Sequence, residues 1–133
     1  MTTLQNYIHG EWRDSVCGDQ LAVENPATLE VLAQVPMGAG TATDVDVAVA
    51  ASVEAQQEWR DTPVIERVQP LYKLKQLLEE HREDIAKTIT QECGKTLGEA
   101  RGEMQRAIEN VEMACGTPAL MQSEFSENIA RGI

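Results

Sequence analysis

The residues predict an α+β segment, short antiparallel strands followed by three or four long helices. Three observations carry this. Apolar and polar residues alternate with period two over residues 5–36. After Gly40 the apolar residues take up the i, i+3, i+4 spacing of helices and keep it to about residue 121. Turn residues separate the stretches, and no βαβ unit repeats. The length of 133 residues is that of one domain.

The first strands are Tyr7-Ile8 and Glu11-Trp12, flanking His9-Gly10, which suits a tight hairpin turn. Residues 20–24 alternate, with Leu21 and Val23 on one face. Asn25-Pro26-Ala27-Thr28 is a turn, because Asn tolerates turn geometry and Pro presets φ. Residues 30–35 alternate again through Val31, Ala33 and Val35, and Pro36-Met37-Gly38 closes the region. Two-stranded units need a partner surface to be stable.

The first helix starts at Thr43, a good N-cap, with Asp44 and Asp46 favourably placed against the helix dipole. Its stripe is Val45, Ala48, Val49, Ser52, Val53 and Gln56, ending near Trp59. Thr62 can cap the second helix, with Pro63 at its first position, where a missing N–H costs nothing. That helix runs over 63–81, with Val64, Val68, Leu71, Leu74, Leu77 and Leu78 inward. Pro70 lies inside it, so a kink or a late start is expected. A third helix covers 83–92 with Ile85, Ala86 and Ile89 apolar, and Gly94 stops it. A fourth covers 96–121, burying Leu97, Ala100, Met104, Ala107, Ile108, Val111 and Cys115, with Leu120 a further candidate for that face, and Pro118 ends or bends it. Residues 122–133 read as irregular.

The chain carries 22 acidic against 11 basic side chains, a formal charge of -11. Such an excess repels phosphate, which disfavours nucleic acid and anionic membrane as partners. With 42% hydrophobic residues, wholesale disorder is disfavoured, and at 4% aromatics the core must be aliphatic. No apolar run is long enough to span a membrane. The first residues have neither the basic nor the apolar region of a signal peptide. Cys17, Cys93 and Cys115 are odd in number and widely spaced, which reads as reduced thiols in a cytoplasmic protein.

No motif supplies complete catalytic machinery, so the residues nominate no catalytic, cofactor-binding or metal-ligating group. Gly94-Lys95-Thr96 looks like the end of a phosphate-binding loop, but Ile89 stands where that motif needs glycine. A helix-breaking turn is the better reading. There is no GxGxxG and no HExxH. His9 and His81 are isolated and read as turn or surface residues. Cys93 follows a helix whose dipole opposes a thiolate, and Cys115 reads as packing. Glu79, Glu80, Glu83 and Asp84, among Arg82 and Lys87, form a solvated helix face. Arg106 lies at the border of the apolar stripe of the fourth helix. Its pattern suits an exposed side chain paired with Glu103 or Asn110, while its geometry would also suit a two-pronged grip on a carboxylate.

The whole chain from residue 5 resembles the N-terminal part of an aldehyde dehydrogenase. The resemblance is carried by Tyr7-Ile8-His9-Gly10-Glu11-Trp12, by Val23-Glu24-Asn25-Pro26-Ala27-Thr28, and by the strand over 31–36. Thr43-Asp44-Val45-Asp46, Trp59 and Glu92-Cys93-Gly94-Lys95 continue it in order. Residues 94–116, with Leu120-Met121 and 124–131, are similar to the CoA-acylating methylmalonate-semialdehyde dehydrogenases. Pro70 departs from the family's usual helix.

The resemblance implies an α/β parent fold, with residues 1–133 an incomplete N-terminal part of its NAD-binding domain. It implies an NAD-dependent parent that oxidises methylmalonate or malonate semialdehyde with loss of carbon dioxide. CoA takes the acyl group as propionyl-CoA or acetyl-CoA, a step of valine catabolism. A cytoplasmic homotetramer is implied. Arg106 matches a position that holds the substrate carboxylate. The family's nucleophilic cysteine, NAD-binding glycines and oxyanion asparagine lie downstream of Ile133. The chain alone is therefore expected to be inactive, to bind neither NAD nor CoA, and to expose apolar surface built for a missing sheet. Two alternatives stay open: a free-standing acidic helical module that binds a partner protein, and another aldehyde dehydrogenase subfamily.

Overall fold

A computed structural model describes residues 2–16, 18–37 and 43–122. The expected order holds, strands first and helices after. Strands β1 (Asn6–Ile8) and β2 (Glu11–Arg13) form an antiparallel hairpin with Tyr7 opposite Trp12. The turn residues His9 and Gly10 both have positive φ, 56° and 79°, as a two-residue hairpin turn matching the strand twist requires. The Tyr7 and Trp12 rings sit 5.0 Å apart, a tilted cross-strand pair.

Strands β3 (Gln20–Glu24) and β4 (Val31–Pro36) form a second antiparallel pair, with Leu21 opposite Val35 and Val23 opposite Ala33. Asn25 makes the turn as its residue type predicts: its side-chain oxygen accepts from the Ala27 N–H at 2.9 Å, and its carbonyl from the Leu29 N–H at 2.8 Å. The chain start runs beside β4, with the Leu4 N–H on the Gln34 carbonyl. The alternation does not resolve into a buried and a wet face. Every residue of β4 is half-buried and Leu21 is exposed, so neither face of this two-stranded sheet is fully covered.

Helix α1 (Thr43–Asp61) begins on the expected capping residue itself. The Asp44 carboxylate accepts hydrogen bonds from the Ser15 hydroxyl and, at 3.5 Å, from Asn6 Nδ2, which ties the helix start to the strands. Its stripe lies open: Val45, Val49 and Val53 are 59%, 55% and 60% exposed. The expected uncovered apolar surface is therefore present.

The stretch expected as one helix over 63–81 divides at Val68 into α2 (Val64–Arg67) and α3 (Gln69–Glu80). Pro70 falls in the first turn of α3, where no intrahelical partner is lost, so the late start occurs and the kink does not. Thr62 does not cap α2. Its hydroxyl donates to the Glu58 carbonyl and closes α1. Val68 is buried, and Val64, Leu71 and Leu78 are half-buried, while Leu74 and Leu77 stay exposed.

Helix α4 (Arg82–Cys93) ends in Gly94 at φ +70°, the left-handed cap that glycine adopts without Cβ strain. Helix α5 (Leu97–Cys115) is opened by Thr96, whose hydroxyl accepts from the Glu99 N–H while the Glu99 carboxylate accepts from the Thr96 N–H. Pro118 lies in the first turn of the short α6 (Thr117–Leu120), so it ends α5 rather than bending it. The core is where α3, α4 and α5 meet: Ala86 and Ala100 are fully buried beside Met104, with Leu78, Ile85, Ile89 and Leu97 packed around them. Alanines at the contact let the helices approach closely. The expected face of α5 is confirmed in Ala100, Met104, Ile108 and Cys115, all buried.

Gly94 also receives the β3–β4 turn. A Cβ built on it would lie 2.8 Å from Pro26 Cγ. Gly94→Ala should therefore destabilise the chain by about 1–2 kcal/mol, combining left-handed strain with the clash. Pro26→Ala in the same background should recover the steric share alone, read as a coupling in urea midpoints. An additive pair would refute the contact.

Candidate functional site

Helix α5 carries the one residue that the resemblance marks for substrate, and its charges fall into a definite pattern. Arg101 reaches across to α4 and grips Glu83 with Nε at 3.0 Å and Nη2 at 2.5 Å. Arg82 donates to the Arg101 carbonyl at 3.4 Å. Lys95, between the Gly94 turn and the Thr96 cap, pairs with Glu103. Gln105 Nε2 donates to Glu109 at 2.9 Å.

Arg106 is exposed, and its guanidinium lies back along the helix over Gly102, where a Cβ would stand 3.9 Å from Nη1. Neither expected pairing forms: among the described residues Arg106 makes no direct bond to Glu103 or Asn110. Glu103 leans toward the helix start and meets Lys95 first. Arg106 acts on it only through space, as the least of the influences that lower its pKa.

The remaining candidates within the described residues stand where the sequence expects them. Gly94-Lys95-Thr96 is a turn with a cap on either side, not a phosphate cradle. His9 is in a hairpin turn and His81 lies between α3 and α4, both exposed. Cys93 is exposed and Cys115 buried, each a free thiol, and Cys17 lies outside the described residues. Among the described residues no three His, Cys, Asp or Glu side chains converge to hold a metal ion. No described helix is long and apolar enough to cross a membrane.

Both described sheets are two-stranded and antiparallel, so the described residues contain no parallel βαβ unit of the kind that holds a dinucleotide, and the connection from β4 to α1 over residues 38–42 lies outside the described residues. The start of α5, which could otherwise attract phosphate, is closed by the Glu99 carboxylate. A groove of about 750 Å³ lies between β1 and α1, lined by Tyr7, Ile8, Pro36, Val45, Val49 and Val53 among others. Its one ionisable lining group besides Tyr7, Asp44, is already held by Ser15 and Asn6. The groove is an apolar surface, and none of its lining residues is on α5.

The family model described as the aldehyde dehydrogenase family matches residues 12–132. The chain belongs to the aldehyde dehydrogenase family. It is 50% identical over 131 residues to malonate-semialdehyde dehydrogenase 1 of Geobacillus thermodenitrificans, across 98% of this chain and 27% of that protein. The same figures hold for malonate-semialdehyde dehydrogenase 2 of Geobacillus kaustophilus. In three dimensions the chain is similar to a structure assigned as methylmalonate-semialdehyde dehydrogenase from Sinorhizobium meliloti complexed with NAD. That similarity has a TM-score of 0.88 and 32% identity, over 99% of this chain and 26% of that one. Aldehyde dehydrogenase C of Pseudomonas syringae, in complex with NAD+ and octanal, is similar at TM-score 0.87 and 35% identity, over 95% of this chain and 26% of that one. The chain thus spans about a quarter of the length of the relatives it matches. Its strands-then-helices order is an N-terminal segment of the aldehyde dehydrogenase fold.

The charge pattern of α5 has a pH signature. Hydrogen bonds from Arg101 to Glu83, from Thr96 to Glu99 and from Lys95 to Glu103 hold these carboxyls below their ordinary value of 4.5. A carboxyl lowered in the folded state stabilises fully above 4.5, and the contribution is lost as pH falls through the folded value. The urea midpoint of the helical region should therefore drop below about pH 4.5, and Arg101→Met should flatten part of that drop. Because the pairs are exposed, high salt should shrink the effect. An identical profile in Arg101→Met would refute the role of the Glu83 clasp.

Proposed function

We propose that these residues are the N-terminal part of the NAD-binding domain of an NAD-dependent, CoA-acylating methylmalonate- or malonate-semialdehyde dehydrogenase. The whole enzyme oxidises the semialdehyde to propionyl-CoA or acetyl-CoA with loss of carbon dioxide. NAD and CoA belong to the whole enzyme, as does a cytoplasmic homotetrameric state, and the 133-residue chain alone is inactive. The observation that carries the reading is the 50% identity to malonate-semialdehyde dehydrogenases over 98% of the chain. It is supported by Arg106, an exposed guanidinium on α5 with no direct partner among the described residues, suited to a two-pronged hold on the substrate carboxylate.

The test is a chimera in which this sequence replaces the matching segment of the Geobacillus thermodenitrificans relative. NADH formation is followed with malonate semialdehyde and CoA, and with propanal as the uncharged comparison. The chimera should turn over malonate semialdehyde and the isolated chain should not. Arg106→Leu should lower kcat/KM for malonate semialdehyde by roughly 10-fold or more, the scale of losing hydrogen bonds to a charged group, and leave propanal little changed. Equal loss on both substrates would favour another aldehyde dehydrogenase subfamily. Turnover by the isolated chain would refute its inactivity.

A further inference from the structure

Arg106 has an acid on either side at helical contact distance, Glu103 three residues before it and Glu109 three residues after. A long cation flanked in this way normally pairs with one of them. Side chains on a helix lean toward its N-terminus, so Glu103 is the nearer competitor for the guanidinium. Both acids are already engaged: Lys95 holds Glu103, and Gln105 holds Glu109 at 2.9 Å.

We propose that Lys95 is a positioning residue for substrate. By holding Glu103 it keeps that carboxylate off Arg106, so that the guanidinium stays available to a carboxylate on the aldehyde. The inference rests on the reading of Arg106 as the carboxylate-binding group. Local structure explains why Lys95 can do this. The left-handed turn at Gly94 and the capping pair of Thr96 with Glu99 place it just before α5, alongside its second turn. Glu99, the other acid nearby, is occupied by the cap itself. With Lys95 absent, Glu103 is the strongest internal rival for Arg106, and the substrate carboxylate must displace it.

The test uses the chimeric enzyme and the kcat/KM ratio of malonate semialdehyde to propanal. Lys95→Met should lower that ratio by roughly two- to fivefold, the scale of competition from an exposed ion pair, through KM and not kcat. Lys95→Arg should keep the ratio. Lys95→Met with Glu103→Gln should restore it, which a merely structural role for Lys95 would not produce. If Lys95→Met does not accumulate, Lys95→Gln carries the same comparison. An unchanged ratio in Lys95→Met, or no recovery in the double variant, overturns the proposal. Arg106→Leu separates the two layers. If it lowers the ratio while Lys95→Met does not, the positioning role alone fails. If Arg106→Leu leaves the ratio unchanged, the reading of Arg106 fails and takes the positioning role with it.

Discussion

The left-handed turn at Gly94 is the constraint on which the rest of this structure depends. It stops α4, reverses the chain within three residues and launches α5 back along α4. That return brings Ala86 against Ala100 and Arg101 against Glu83, so the core and its surface clasp follow from one backbone conformation. The same glycine admits Pro26 from the β3–β4 turn, joining the strands to the helices at a point where any side chain would intrude. Only a residue without Cβ satisfies both demands.

The two halves of the chain are unequal in burial. Around α3, α4 and α5 the aliphatic stripes meet and close, with several side chains at or below 5% exposure. Around α1 and the first hairpin the apolar residues stay largely open, as Tyr7, Trp12 and the α1 valines show, and β4 is only half-buried. This division agrees with a chain that spans about a quarter of its relatives' length. Residues 12–132 match the family throughout, so the open faces are as much part of its pattern as the closed ones.

Local chemistry was the legible part. Asn25 made its turn, His9-Gly10 its hairpin and Gly94 its cap, because each depends on residues within four positions. Where two local rules competed, the sequence decided less. Thr62 read as the cap of the following helix, yet its hydroxyl closes the preceding one, and for Pro70 a kink and a late start were both open. The site was legible less fully. The quoted motifs contain Lys95, Glu103 and Arg106, yet the natural pairing by spacing was Glu103 with Arg106. The turn before α5 decided for Lys95 instead. The contact of Pro26 with Gly94 had no sequence signal, since nothing in two distant turns states that they touch.

By itself, then, the sequence determined the order of elements, the turns at His9-Gly10 and Asn25, the stop at Gly94, the apolar face of α5 and the family pattern. These are set by hydrogen bonds and periodicities that run between near neighbours along the chain. Tertiary structure alone decided which stripes would be covered, where the 63–81 stretch would break, and which acid each cation on α5 would hold. Those outcomes depend on what lies across the gap between elements, and a period in the sequence names a face without naming what it meets.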